Sequence, residues 1–123
     1  MFALGDVIRF ASIEAGKVKY HLCISLEGHF LFINSPKLIT YPGDYLVPCN
    51  ELPFLAPTPS GQSIISCTLV MKKSDSESRR CGAKKIGSVS LGVIRGLVQF
   101  VKLSPVLTEE EKDAFYEAAG DWI

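Results

Sequence analysis

The sequence has no run of about 18 apolar residues, and we therefore expect no membrane-spanning helix and no membrane partner. Its N-terminus also lacks a charged segment followed by an apolar one, which is the pattern of a signal peptide. Asp6 and Arg9 interrupt the first apolar residues early. From these two absences we expect a cytoplasmic protein.

Closely spaced cysteines and metal-ligand clusters are missing as well. The four cysteines include no Cys-x-x-Cys pair, a spacing found in many structural zinc sites. His21 and His29 are the only histidines, and a single acid between them does not complete a ligand set. No glycine-rich phosphate loop is present. We expect reduced, unpaired thiols, no metal and no cofactor.

An excess of one charge is also absent, since 13 basic residues balance 13 acidic ones. The distribution is less even, because "KKSDSESRRCGAKK" at 72–85 is rich in cations and the chain after 108 is rich in acids. Such a segment is usually a solvated loop, but it can bind a phosphate backbone locally. The candidate nucleic-acid-binding residues there are Lys72, Lys73, Arg79, Arg80, Lys84 and Lys85.

The 123 residues, 47% of them hydrophobic, are expected to form a single domain over 1–123. Strands are predicted where apolar and β-branched residues dominate, at 5–12, 17–26, 29–35 and 63–73. Six of the seven prolines lie in 36–63, which is predicted to be mostly loop with an edge strand at 45–49.

The second and third strands are predicted to form a hairpin around Glu27-Gly28, with Gly28 at positive φ if the turn needs it. Alternation along the second strand places Lys19, His21, Cys23 and Ser25 on a polar face. Antiparallel pairing then brings residues near 20 opposite residues 34–35. Lys19 and His21 should converge with Asn34 and Ser35 on one groove, and a solvated His21 is the plainer interpretation.

The C-terminal third has a helical period. Val93, Ile94, Leu97, Val98 and Val101 form one apolar stripe, in a helix at 90–102 that Ser88 or Ser90 can cap. A capping box at Thr108–Glu111 predicts a second, short helix from 109, with Phe115, Ala118 and Ala119 on one side. Four or five antiparallel strands followed by packed helices predict a mainly β fold, a small SH3-like barrel.

Four stretches resemble the PemK/MazF family of toxins: "GDVIRF", "KYHLCISL", "LFINSP" and "KKIGSVSLGVIRGLVQFVKLSPVL". The resemblance follows the order of elements over nearly the whole chain. It implies a homodimer of SH3-like barrels that cleaves single-stranded RNA without a metal, held in check by an antitoxin protein. In that family a basic residue on the second strand and a hydroxyl residue at the end of the third flank the scissile phosphate.

The chain departs from that pattern, because Tyr20 or His21 falls at the family's arginine, without the following proline, and Asn34 falls at its threonine. Ser35 matches the family's serine. The catalytic candidates are therefore His21 as acid or base, Lys19 as a source of charge, and Asn34 and Ser35 as positioning groups. Lys17 is expected to bind the RNA. The alternative is a non-catalytic module on the same barrel that binds protein or nucleic acid.

Overall fold

The computed structural model describes residues 2–12, 16–36 and 41–120. These residues form seven strands, three α-helices and a short 3-10 turn at Cys49–Glu51. The strands are β1 (Asp6–Ser12), β2 (Lys17–Cys23), β3 (His29–Asn34), β4 (Asp44–Pro48), β5 (Gln62–Ser66), β6 (Met71–Lys72) and β7 (Lys84–Ser88). The helices are α1 (Asp75–Arg80), α2 (Leu91–Leu103) and α3 (Glu109–Ala118).

The strands make one antiparallel sheet in the order β4-β5-β3-β2-β1-β7, and β6 pairs with β3 beside this path. Within the described part of the chain the two outer strands, β4 and β7, do not pair with each other, so the sheet is open. The prediction of a mainly antiparallel β fold with C-terminal helices is confirmed.

The two C-terminal helices lie where their sequence signals predict. All five residues of the apolar stripe on α2 are buried, and Ser90 caps the helix by accepting from the Val93 N–H. Thr108 and Glu111 form the predicted capping box of α3, which buries Phe115 and Ala118. Both helices pack on the larger core, with sheet residues such as Val7, Leu22, Leu31 and Ile65 beneath them.

The presence of a glycine, Gly96, in the middle of α2 is explained by packing against β4. A Cβ atom at this position would lie 2.1 Å from the Tyr45 hydroxyl, closer than any real contact. The glycine lowers intrinsic helix stability by about 1 kcal/mol relative to alanine. The close approach of α2 to β4 therefore offsets a local weakness of the helix.

The segment 72–85 is not a loop, and this prediction is wrong. Ser74 and Glu77 form a capping box that starts α1, and Lys84 and Lys85 begin β7 on the edge of the sheet. The Ser-x-x-Glu signal is the same type that marks α3. No apolar stripe follows this capping box, and the high charge of the segment therefore favoured the prediction of a loop over that of a helix.

The predicted continuous strand over 63–73 is also wrong, because the chain leaves the sheet between β5 and β6. Cys67 is buried in the larger core, while Met71 is buried in a second cluster. Residues four apart in one strand point to the same face. A break is required to bury these two side chains in different clusters.

The second cluster lies on the face of β2 that was predicted to be polar. It consists of Ile8, Phe10, Cys23, Phe30 and Met71, with Phe2, Phe32, Cys81 and Ala83 packed against it. The ring of His21 is 0% exposed and stacks on Phe10, with 3.7 Å between the ring centroids. The prediction of a solvated His21 is wrong, because this cluster covers the middle of the strand.

Candidate functional site

A solvent-open groove of about 390 Å³ lies at the ends of β2 and β3 farthest from their turn. It extends across the sheet to β5 and the start of β4. Its lining residues are Lys17, Lys19, Asn34, Ser35, Tyr41, Asp44, Ile64, Ser66 and Thr68. We call it the hairpin groove. Eight of these nine side chains carry a polar atom, which suits a polar ligand.

The register of the hairpin brings Lys19 and Asn34 together. Tyr20 pairs with Ile33, and the Lys19 ammonium donates a hydrogen bond to Asn34 Oδ1. The predicted pairing of positions near 20 with 34–35 is thus shifted by about one residue. At the turn of the same hairpin, Gly28 has a φ of +85°, and a Cβ there would lie 2.2 Å from the Lys73 carbonyl oxygen.

Lys19 has a second contact, with the ring of Phe32, which pairs with His21 and is the diagonal neighbour of Lys19 on β3. Its Nζ atom lies 5.4 Å from the ring centroid, within the range of a cation–π interaction. Phe32 in turn packs against the second cluster. The cation at the edge of the groove is therefore held by an amide on one side and an aromatic ring on the other.

Sequence reasoning missed the wall that β4 and β5 contribute. Asp44 pairs with Ser66 across these strands, and its carboxylate accepts the Tyr41 N–H at 3.0 Å. The hydroxyls of Ser66 and Thr68 lie 3.4 Å apart. A Gly-Asp dipeptide before an apolar run marks both β1 and β4, and this signal could have located Asp44.

The predicted catalytic set is divided by the structure. Lys19, Asn34 and Ser35 line the groove, and so does Lys17. His21 does not, because its ring is enclosed by Phe10, Phe30 and Phe32. A proton carrier must reach the substrate directly or through one water. The expected convergence of His21 with the other three residues on the groove is therefore wrong.

The cations of segment 72–85 are also outside the hairpin groove. Lys72 pairs with His29 at the turn end of β3, and Lys73 is only 5% exposed. Lys85 makes an ion pair with buried Asp6 at 3.1 Å. The other three, Arg79, Arg80 and Lys84, are exposed on α1 and β7. These six residues do not form one patch with Lys17 and Lys19.

His29 is the first residue of β3, directly after the turn at Gly28. The Ser25 hydroxyl lies 2.6 Å from His29 Nδ1 and accepts the N–H groups of Glu27 and His29 at 3.2 Å each. With both backbone donors on its oxygen, the hydroxyl has its proton free for the imidazole. Burial lowers the pKa of His29 below 6.5, and the nearby Lys72 adds to this shift. The arrangement stabilises the hairpin turn.

The four cysteines are separate thiols, as predicted. Burial raises the pKa of Cys23 to about 11 and that of Cys67 to about 12, so both are poor nucleophiles. Hydrogen bonds involving Thr58 lower the pKa of the half-buried Cys49.

The described residues contain neither a metal-ligand cluster nor a membrane-spanning helix. Over 2–12, 16–36 and 41–120, no group of three or more histidine, cysteine, aspartate or glutamate side chains is placed to hold a metal ion. None of the helices in these ranges is long and apolar enough to cross a membrane. Neither observation identifies a ligand for the groove.

Comparison with known proteins does not assign the chain to a family. No family model matches the sequence, and no curated protein matches it. The function must therefore be inferred from the groove itself.

Proposed function

We propose that the chain binds single-stranded RNA through the hairpin groove. The observation that carries the proposal is the convergence of Lys17 and Lys19 with Asn34 and Ser35 on one open groove. Ammonium groups bind phosphate as point charges, and amide and hydroxyl side chains hydrogen-bond phosphate and sugar oxygens. These are the groups that single-stranded nucleic-acid channels use along a backbone.

The charge of the groove is moderate rather than strongly positive. Lys17 and Lys19 contribute two cations, and Asp44 contributes one acid. Lys17 is exposed and available to a ligand, while Lys19 already contacts Asn34 and Phe32. We therefore expect binding that depends on few phosphate contacts and has a shallow salt dependence.

A second candidate function is cleavage of the bound RNA without a metal, as the resemblance to PemK/MazF toxins implies. The specific observation in its favour is that Asp44 and Tyr41 line the same groove as Lys19. The Asp44 carboxylate could take the proton of a ribose 2′-hydroxyl, whose oxygen would attack the phosphorus. The bond to the 5′-oxygen would break, Tyr41 would protonate that leaving oxygen, and Lys19 would stabilise the developing charge.

The family itself, with its SH3-like barrel, its homodimer and its antitoxin partner, is part of this second candidate. The order of strands followed by C-terminal helices supports it. The buried His21 speaks against the assignment of proton transfer to that residue. A PemK/MazF-like nuclease on this chain would have to use the carboxylate and the phenol instead.

The test of binding uses fluorescence anisotropy with a labelled oligouridylate of about ten nucleotides, in the range one such site covers. We expect Lys17→Ala to weaken binding and to reduce the magnitude of the salt slope by about 0.7, the value for one phosphate contact of a single strand. The matched control is Lys102→Ala, which removes an exposed cation from α2, on the far side of the sheet. Equal losses in both variants would contradict a specific groove.

Cleavage is tested separately, by incubating the protein with a long single-stranded RNA in EDTA. If the second candidate is correct, the wild type cuts the RNA and Asp44→Asn does not, while both bind the oligomer. His21→Phe, which keeps a flat ring in the Phe10 stack, should cut as the wild type does if it folds. Intact RNA with the wild type would leave the binding function and exclude the nuclease.

A further inference from the structure

A second cavity shares Asn34 and Ser35 with the hairpin groove but has different walls. Its volume is about 170 Å³, and its other lining residues are Tyr20, Ile33, Leu55, Ala56, Thr58 and Ser63. Tyr20 follows Lys19 in β2, so the two side chains point to opposite faces of the sheet. The end of β3 thus separates a polar groove from a cavity with an aromatic and an apolar wall. We call the latter the Tyr20 cavity.

A row of side chains leads across the sheet to this cavity. Arg9 on β1 pairs with Tyr20 on one side and with Lys84 on the other. Directly paired residues of antiparallel strands lie on one face, with Cβ atoms about 4.5–5.5 Å apart. All three side chains are exposed, Tyr20 to 38%. Arg9 therefore lies beside Tyr20 on this surface, and Lys84 lies one strand farther from the ring.

We propose that the Tyr20 cavity binds a nucleobase of the RNA strand whose phosphates occupy the hairpin groove. This inference rests on the proposed function and extends it to base contacts. An exposed tyrosine ring offers the stacking surface that every base can use, whatever its sequence. Leu55 and Ala56 provide an apolar wall for the same base, and the hydroxyls of Thr58 and Ser63 border it.

The positions of the two cavities also define a path for the RNA across the surface. The backbone passes over Asn34 and Ser35, the two residues common to both cavities, with phosphates towards Lys17 and Lys19. On the other side of β3 the next base stacks on Tyr20, and the following phosphates approach Arg9 and then Lys84. Positive side chains that follow the backbone and aromatic rings that stack the bases are the two parts of a single-strand binding surface.

The experiment compares an oligouridylate of about ten nucleotides with an abasic RNA of the same length. We expect the wild type to bind the oligouridylate about tenfold more tightly, a typical effect of stacking one base. Tyr20→Ala should remove this advantage and leave the affinity for abasic RNA unchanged, while Tyr20→Phe should retain it. Ala56→Leu, at an exposed position of the cavity, should also remove it, because the larger aliphatic side chain occupies the space of the base without offering a ring for stacking. This variant leaves Tyr20 unaltered and keeps the test valid if Tyr20→Ala does not fold.

The outcomes separate this inference from the proposed function. Equal binding of both RNAs by the wild type, or an advantage that survives in Tyr20→Ala or Ala56→Leu, would overturn the base site and leave the phosphate groove intact. Binding of neither RNA would overturn both. Loss of the advantage in Tyr20→Ala and its retention in Tyr20→Phe would establish Tyr20 as the stacking residue.

Discussion

The two halves of one face of β2 have opposite characters. Cys23 and His21 are fully buried in the second cluster, whereas Lys19 and Lys17, only two and four residues from His21, reach the hairpin groove. Alternation correctly predicts that Lys19, His21 and Cys23 share a face, but it carries no information about what covers that face. The residues that cover it, such as Phe2, Cys81 and Ala83, are distant in sequence.

This difference assigns separate roles to residues that the sequence grouped as one site. The buried half holds the sheet together through aromatic stacking, and the open half is available to a ligand. Changes in the buried half should therefore reduce stability, and changes in the open half should reduce binding.

Phe10→Ala should lower the free energy of unfolding by about 3–5 kcal/mol, because Phe10 is 1% exposed and stacks on His21. Urea denaturation followed by circular dichroism measures this change. Leu97→Ala in the larger core is the matched control and should cost about 2–5 kcal/mol. A loss below about 1 kcal/mol for Phe10→Ala would show that the second cluster is not a core.

The elements that sequence reasoning located best are those with local signals. The stripe from Val93 to Val101 and the capping box at Thr108 specify α2 and α3 through contacts within a few residues. The hairpin of β2 and β3 was likewise located from alternation and Gly28. On these elements the predicted and observed bounds agree within about three residues at each end.

The parts that were missed depend on contacts between distant segments. The chain breaks between β5 and β6 because Cys67 is buried in the larger core and Met71 in the second cluster. The residues that form these clusters are far apart in sequence, so a local sequence pattern does not predict them. Asp44 enters the groove through the pairing of β4 with β5 inside a proline-rich region. His21 was misplaced for the same reason, since its burial depends on Phe10 and Phe30 of neighbouring strands.

Thiol reactivity should follow the same division between buried and open positions. At pH 8 we expect iodoacetamide to modify Cys49, whose pKa is lowered, well before Cys23 and Cys67, whose pKa values are about 11 and 12. Mass spectrometry of peptides at successive times measures the order. The two slow sites should react once the chain is unfolded in urea. Early modification of Cys23 would contradict a closed second cluster.

The smallest expected effect concerns the turn end of the hairpin. The pKa of His29 in the folded chain lies below 6.5, so the unfolded chain binds more protons just below that pH. Stability should therefore fall as the pH drops from 6.5 towards the folded-state pKa, and this contribution should be constant above 6.5. Burial and Lys72 cause the shift, against the opposing charges of Glu27 and Glu117.

Melting temperatures of the wild type and His29→Gln between pH 5 and 7 isolate this effect from the titration of carboxylates. We expect the difference between the two proteins to change only below about pH 6.5. A difference that is independent of pH would show that the Ser25–His29 contact does not respond to protonation.

The RNA-binding surface is mapped most directly by NMR, in a titration of ¹⁵N-labelled protein with the oligouridylate. If RNA binds in the hairpin groove, backbone amide signals shift at 17–20, 34–35 and 64–68, around the groove and Tyr20, while those of His21–Cys23 and of α3 shift least. Shifts concentrated on α2 and α3, or on α1 alone, would contradict the hairpin groove as the binding site. An unchanged spectrum at saturating RNA would contradict RNA binding altogether.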